Sequence, residues 1–415
     1  MKENLLLGLR LRSGMTQEEL SDSSGISVRT IRNFERGVIR RPRRSSVDML
    51  LDVLDPRLKE KLRSAAVEEL GTPVGMAAEW LKVLGDEPAT WRGGRPPRSS
   101  LVGRDTQVAL LGRLLLERQV VVVTGAGGAG KSRVALAAAE EVGGRLGEGV
   151  AVVDLGRIPQ ERCTGVDAAL ERAEEAVAEV LGVRLVTGSR QRLVLVLDNA
   201  EHLRRTTARL VDRLLARFPE AHVLVTARRP PELAGTTLHE VAPLAPAAAV
   251  ELLVSRAGGE CPDLDLSGQG ERLGALVSLL DGLPRLIEFA ARRLRIVPLD
   301  LLLAGGRTLR LLGSDDPRVL PHQRSPEASL RWSLDLLGER HERLLVQLAR
   351  DADARPGAGG VEAAPGGITE LEDFGLLADL AETSLLQVDR GSRYRYRMLR
   401  HVRALLDDSV AVATP

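Results

Sequence analysis

The run GAGGAGKS at Gly125–Ser132 carries the most specific chemistry in this chain. It satisfies GxxxxGK[ST], a spacing in which glycines let successive backbone N–H groups turn inward on phosphate oxygens. Gly125, Gly127, Gly128 and Gly130 free the backbone, Lys131 is placed to reach β and γ phosphates, and the Ser132 hydroxyl to ligate Mg²⁺. Arg133 follows in the first turn of the helix leaving the loop, whose N-terminus adds partial positive charge. Lysine is scarce here: Lys2, Lys59, Lys61, Lys82 and Lys131 are the only ones, and arginine serves elsewhere. A compact ammonium at this position therefore has a chemical reason that a flexible Gly/Ala turn lacks.

Two more strand tips supply partners for a phosphate. RLVLVLD, Arg192–Asp198, ends in a carboxylate where a Walker B aspartate holds Mg²⁺ through water. The next residue is Asn199, an amide that accepts a proton poorly, and Glu201 is the nearest carboxylate. Glu201 either activates water or caps the following helix, and the residues alone leave both open. His222–Thr226 leads to Arg228, which either senses a γ-phosphate or is one more surface arginine.

These groups need a scaffold. From 100 to 241 short runs apolar at nearly every position (QVVVVT, GVAVVDL, LVLVLD, HVLVT) alternate with amphipathic helices, the pattern of strands buried on both faces of a parallel sheet. A three-layer α/β nucleotide-binding domain is expected there. Residues 242–314 turn Leu- and Ala-rich and read as a helical domain. In 315–415, two helices lead to a Gly/Ala/Pro-rich loop at Ala352–Gly367, a helix near Leu371–Ala381, a hairpin about Asp389–Ser392 and a last helix from Leu399, which together read as a winged helix. Residues 72–99 end in WRGGRPPRSS, whose paired glycines and prolines predict a linker.

Residues 1–71 read as a compact helical domain. Thr16 with Glu19 forms a capping box, Ser24 and Gly25 turn the chain, and Ser27 caps a second helix. Leu20, Ile26, Ile31 and Phe34 fall on one face, leaving Arg29, Arg32 and Asn33 on the other. Side chains able to donate to base edges near a helix N-terminus suit the major groove of double-stranded DNA, with Ser27 at its start and Gln17 on the preceding helix near phosphate or base. Arg40, Arg41, Arg43 and Arg44 follow where phosphates would lie. The first 45 residues hold ten basic and five acidic side chains, a local net of +5 in a chain whose net charge is +1.

In this order the motifs resemble the STAND class of signal-transduction ATPases, in particular bacterial NB-ARC-like regulators with an N-terminal XRE-type helix-turn-helix. LVGRD at Leu101–Asp105 is similar to the segment preceding the P-loop in that family, and DGLPRLIEFAARRL at Asp281–Leu294 to its GLPL helix. The resemblance implies that Val102, Arg104 and Pro284 close a pocket around the adenine of ATP or ADP. SLRWSLDLL, Ser329–Leu337, and RYRMLRHVRALL, Arg395–Leu406, look like the ends of the family's winged helix. Leu399 and Arg400 stand where many members carry the His and Asp of an MHD motif, and Arg285 replaces an apolar residue after the GLPL proline. No internal repeat of solenoid period is read in these residues, so no repeat array is expected within them.

Composition sets the outer limits. With 44% hydrophobic and 28% charged residues in 415, the chain has enough apolar surface for several cores. Only Cys163 and Cys261 are cysteines, without neighbours at metal spacing, which fits a reducing cytoplasm. No apolar run reaches membrane-spanning length, and the start has no signal-peptide pattern, so a cytoplasmic protein without a membrane partner is expected. The expected activity is slow ATP hydrolysis serving a DNA-binding transcriptional switch with nucleotide-dependent homo-oligomerisation. A DNA-associated AAA+-like motor, or a scaffold holding nucleotide without hydrolysis, are the alternatives.

Overall fold

The computed structural model describes residues 15–35, 44–54, 91–97, 99–146, 149–181, 192–304, 306–353, 371–390 and 394–412, with Leu6, Arg10 and Ser13. The chain divides into two compact units, Met1–Thr90 with Gly144–Gly149, and Trp91–Gly143 with Val150–Pro415.

In the first unit, α1 (Gln17–Ser24) begins at the expected capping box: Thr16 Oγ1 accepts from the Glu19 amide at 3.1 Å and Glu19 returns the bond to the Thr16 amide at 2.8 Å. Gly25, at φ 68°, ends the helix in the left-handed conformation that glycine adopts without strain. α2 (Val28–Glu35) and α3 (Arg44–Leu54) complete a small core of Leu6, Leu20, Ile31, Phe34, Leu50, Leu51 and Leu54. Arg40, Arg41 and Arg43 lie outside the described residues, and Arg44 opens α3.

The second unit is built on a six-stranded parallel sheet of β1 (Trp91–Gly93), β2 (Val120–Thr124), β3 (Val150–Asp154), β4 (Val194–Asp198), β5 (His222–Thr226) and β6 (Thr237–Glu240), ordered β1-β3-β4-β5-β2-β6. Helices α4 (Asp105–Glu117), α5 (Lys131–Leu146), the short α6 (Glu161–Thr164), α7 (Val166–Leu181) and α8 (Arg204–Arg217) connect the strands. Val122, Leu195, Leu197, Val223 and Val225 share one core with α7 and α8. Their alternate neighbours Val121, Val123, Val196 and Leu224 are buried too, and α4 packs on β2 and β5. Burial on both faces explains why these strands are apolar at every position.

Two edge strands depart from the expectation. Trp91–Gly93, placed by its composition in a linker, pairs in parallel with β3. Gly93 makes this possible: it sits at φ 82°, and a Cβ there would lie 2.0 Å from the Val152 carbonyl oxygen. β6 closes the other edge with the sequence TLHE, too short and too polar to read as a strand.

After the sheet come α9 (Pro246–Glu260), α10 (Gly270–Leu279), α11 (Pro284–Arg293) and α12 (Leu299–Leu303), then α13 (Pro326–Leu337), α14 (Glu339–Asp353) and α15 (Leu371–Glu382). The expected hairpin is β7 (Leu386–Arg390) antiparallel to β8 (Tyr394–Met398), followed by α16 (Arg400–Val412). Most of the Gly/Ala/Pro-rich stretch between α14 and α15 lies outside the described residues. The molecule is thus an N-terminal helix-turn-helix joined to a parallel α/β sheet of P-loop type with helical and wing-bearing segments. Among the described residues no helix is long and apolar enough to cross a membrane.

Leu195 is fully buried at the centre of β4. Leu195→Ala is expected to destabilise the second unit by about 2 to 5 kcal/mol through lost burial and a residual cavity. Denaturant unfolding followed by far-ultraviolet circular dichroism measures this as a lower midpoint at constant slope.

Candidate functional site

β2 delivers the chain into the loop Gly125–Gly130, and α5 begins at Lys131. Gly125, Gly128 and Gly130 lie at φ 139°, 84° and 95°, where a side chain would be strained. Space also requires glycine: a Cβ on Gly125 would stand 2.6 Å from the Val241 carbonyl oxygen, and one on Gly127 2.6 Å from Ser329 Oγ and 3.0 Å from the Arg228 guanidinium. Lys131 curls over the loop and donates to the carbonyls of Gly125 at 2.9 Å and Ala126 at 3.0 Å. Burial pushes this ammonium down to about 8; Glu201 and Asp198 pull it up, and Arg228 and Arg285 press it further down.

Ser132 hydrogen-bonds Asp198 at the tip of β4, so the two expected Mg²⁺ residues meet. Asp198 also accepts from Thr226 Oγ1 on the neighbouring strand. Burial raises the Asp198 carboxyl, the Thr226 and Ser132 hydroxyls lower it, and Asp154 and Glu201 raise it again, leaving it above the ordinary value. Asp154 stands directly across from Asp198 in the β3–β4 register. Asn199, at φ 60°, links the two carboxylates by donating to Asp154 Oδ1 at 2.9 Å and Asp198 Oδ2 at 3.1 Å.

Glu201 and Arg228 form a pair 5% and 4% exposed, with Arg228 Nε 3.3 Å from Glu201 Oε1. Burial raises the Glu201 carboxyl, but the charges of Arg228 and Lys131 outweigh it and hold the group below its ordinary value. Arg228 Nη1 donates to the Ser329 carbonyl at 2.7 Å and Ser333 Oγ at 2.6 Å, both on α13. Arg228 is thus a tie between the β5 tip and the C-terminal segment, directly over Gly127.

Arg104 is 3% exposed and donates to the Ala129 carbonyl at 2.9 Å, bracing the loop from the segment before α4. Its Nε is buried without a partner. Val102 is half-buried in the same segment, and next to it Gly103, at φ 65°, lets the chain run against Ala248 of α9. Pro284 Cγ lies 3.8 Å from a Cβ built on Gly130, which places the α11 N-terminus on the loop. Arg133 faces away from the loop: it pairs with Glu288 at 3.3 Å and donates to the carbonyls of Ser99 and Ser100. Its side chain clamps the strap before α4.

Arg285 is a residue whose place the sequence left unread. Its backbone N–H donates to the Gly128 carbonyl at 3.2 Å, its Cβ lies 3.1 Å from a Cβ built on Gly128, and its guanidinium is held by the Gln323 carbonyl at 2.9 Å. Gln323 in turn donates to Asn199 Oδ1 at 3.1 Å and accepts from Arg285 on its Oε1 at 3.0 Å, so one side chain joins Arg285 to the residue after the carboxylate tip. His401, one residue beyond the MHD-like position, reaches no loop residue. Asp281 accepts from its ring at 2.7 Å and from the backbone amides of Arg400 and His401 at 2.9 Å each, capping α16.

In the first unit Arg29, Arg32 and Ser27 are exposed, and Gln17 and Asn33 half-buried. Ser27 Oγ caps α2 by accepting from the Thr30 amide at 3.3 Å. A chain of bonds leads to Arg32: Arg10 binds Glu35 at 2.6 Å, Gln17 donates to Glu35 at 2.5 Å, and Arg32 Nε donates to Gln17 at 3.3 Å. Arg32 is therefore held by its Nε while the residue stays exposed.

Residues 8–57 match the family model described as Helix-turn-helix. They form a helix-turn-helix domain. Over 308 residues the chain is 33% identical to Rv0890c of Mycobacterium tuberculosis (strain ATCC 25618 / H37Rv), named as an HTH-type transcriptional regulator, covering 70% of this chain and 33% of that one. Over 317 residues it is 28% identical to Rv0894 of the same strain, named as an uncharacterized protein, covering 74% and 80%. The chain thus spans about a third of the length of the first of these relatives. Of solved structures, the Walker-type ATPase paby2304 of Pyrococcus abyssi aligns over 76% of this chain and 98% of its own, at 16% identity and TM-score 0.48.

His322 stacks on Trp332 of α13 at 4.4 Å and 11°. Burial first, then Arg228, push its imidazole down from 6.5 to about 4. The unfolded chain therefore binds more protons between those values: the stability is fully present above 6.5 and is lost as pH falls toward 4. The wild-type unfolding free energy is expected to drop across this window by up to about 3 kcal/mol more than that of His322→Phe. Denaturant titrations of both proteins at several pH values measure the difference, and parallel curves would remove His322 from this role.

Proposed function

We propose that the chain is an ATP/ADP-switched, DNA-binding transcriptional regulator of the STAND type. The observation that carries this reading is the double engagement of Arg228, which pairs with Glu201 above Gly127 while holding Ser329 and Ser333 of α13. A sensor of a terminal phosphate needs two sets of partners of comparable strength, and this arginine has one set on the C-terminal segment.

The residues around the loop fit a nucleoside polyphosphate with Mg²⁺. Such a ligand supplies a terminal anionic group in one state and lacks it in the other. The Gly125–Gly130 amides and the α5 N-terminus would hold phosphate oxygens, and Lys131 would exchange the Gly125 and Ala126 carbonyls for them. Ser132 and Asp198 would hold the metal, with Asp154 and Asn199 fixing the orientation of Asp198. Val102, Arg104 and Pro284 would border the base, Arg104 offering its unpartnered Nε.

In the arrangement seen, Arg228 and Ser329 crowd Gly127. Accommodation of a terminal phosphate there requires Arg228 to give up Ser329 and Ser333, which releases α13 and the wing behind it. That change would control the helix-turn-helix domain and self-association of the protein. Glu201 is held ionised by Arg228 and Lys131, a state that favours a charge partner over a strong proton acceptor and agrees with slow hydrolysis. The relative named as an HTH-type transcriptional regulator, 33% identical to this chain, supports the DNA-directed part of the proposal.

Lys131→Ala is expected to abolish binding of a fluorescent ADP analogue, read by anisotropy, while DNA binding persists. Unchanged analogue affinity would falsify the site. On a DNA site selected by the wild-type protein from a random pool, Arg29→Ala or Arg32→Ala is expected to weaken binding by about 1 to 3 kcal/mol. Retention of full affinity by both variants would move the recognition face elsewhere.

A further inference from the structure

The Arg228–Glu201 pair forms part of the wall of a cleft of about 360 Å³ that shares no residue with the loop Gly125–Ser132. It opens between α6, the start of α8, the β5 tip and the end of α13; its lining carries five arginines and three glutamates, and Asp379 and Glu382 of α15 stand at its edge against Arg229. A volume of this order accommodates a small metabolite.

The acidic side chains of the cleft already have partners. Glu161 accepts from the Thr206 amide and hydroxyl at 2.9 Å each and from the Arg205 amide at 3.3 Å, capping α8. Glu201 is paired with Arg228, and Glu232 meets Arg204 at 3.4 Å. Arg229 is engaged by Asp379 and Glu382 of α15.

Two guanidinium groups of the lining, Arg162 and Arg205, have no carboxylate partner among the described residues. Arg162 donates only to backbone carbonyls, those of Asp335 at 3.1 Å and Leu336 at 2.6 Å, at the end of α13. Arg205 has no side-chain partner among the described residues. Carbonyl oxygens orient a guanidinium without neutralising it, and both residues are exposed toward solvent. Two guanidinium groups without a carboxylate partner on one small concave surface suit a ligand with two negative charges.

We propose that this cleft binds a small polyanionic metabolite bearing carboxylate or phosphate groups, gripped by Arg162 and Arg205 and distinct from the ligand of the P-loop. The location gives such a ligand a consequence. Arg162 holds the end of α13, and Ser333 on the cleft wall accepts from Arg228, so an occupied cleft favours the arrangement in which α13 stays seated. The consequence for switching rests on the reading of Arg228 given above; binding itself does not.

The test uses the full chain and two probes, citrate for a polycarboxylate and fructose 1,6-bisphosphate for a phosphorylated compound. Calorimetric titration is expected to show that at least one binds the wild-type protein and the Lys131→Ala variant equally. Affinity is expected to fall about tenfold or more in Arg162→Ala/Arg205→Ala, whose exposed positions leave the core intact. Which probe binds identifies the class of anion. Absence of binding by both at about 10 mM, a Kd of the scale of weak contacts, overturns the proposal. So does a loss that follows Lys131→Ala in place of the arginine pair, since that outcome assigns the anion to the P-loop. A nucleotide affinity unaffected in the arginine double variant separates this result from any failure of the P-loop reading.

Discussion

Three cations converge on the glycine loop of this protein, and the rest of the site is arranged around their repulsion. Lys131 lies across the loop, Arg228 stands over Gly127 and Arg285 packs on Gly128. Burial depresses all three, and the two arginines add to the depression of Lys131. Like charges in a dry site repel, so the arrangement depends on the carboxylates of Asp198 and Glu201 being equally close. Glu201 answers by being held ionised, and Asp198 by taking hydrogen bonds from Ser132 and Thr226. The rest of the second unit either delivers these five groups or keeps water from them.

The C-terminal segment is bound to that charge balance at several points. Ser329 and Ser333 take the Arg228 donors, and Gln323 joins Arg285 to Asn199. Farther along, Asp281 beside the GLP turn caps α16 and accepts from His401. Each link is polar, and those of Arg228 and Arg285 tie residues packed on the loop directly to the segment that follows α12.

The loop, the strands around it and the helix-turn-helix were legible because each follows a local rule. Glycines at fixed spacing, strand runs apolar on both faces and a Thr16–Glu19 capping box need no knowledge of distant residues. What escaped was set by tertiary approach. Trp91–Gly93 became a strand because Gly93 lets the chain meet the Val152 carbonyl, and nothing in WRGG announces that neighbour. Arg285 read only as a departure from an apolar position, whereas its use depends on Gly128 and Gln323. Arg133 illustrates the reverse: its position beside the loop fits phosphate contact, yet Glu288 and the Ser99 and Ser100 carbonyls claim it. Asp154, unremarked within the run GVAVVDL, is set opposite Asp198 by the β3–β4 register.

The same contact carries an aromatic cluster. His322 stacks on Trp332 at 4.4 Å, and His202 lies 5.6 Å from the same ring. After burial, the charge of Arg228 helps to hold the His322 imidazole below its ordinary value, so the rings and the Arg228–Glu201 pair share one electrostatic environment. Thus α13 meets the strand tips through stacked rings and through the Arg228 hydrogen bonds to Ser329 and Ser333 together. Protonation of His322 would set a second cation beside Arg228, which is why the group that stacks on α13 also links its seating to the charge of the site.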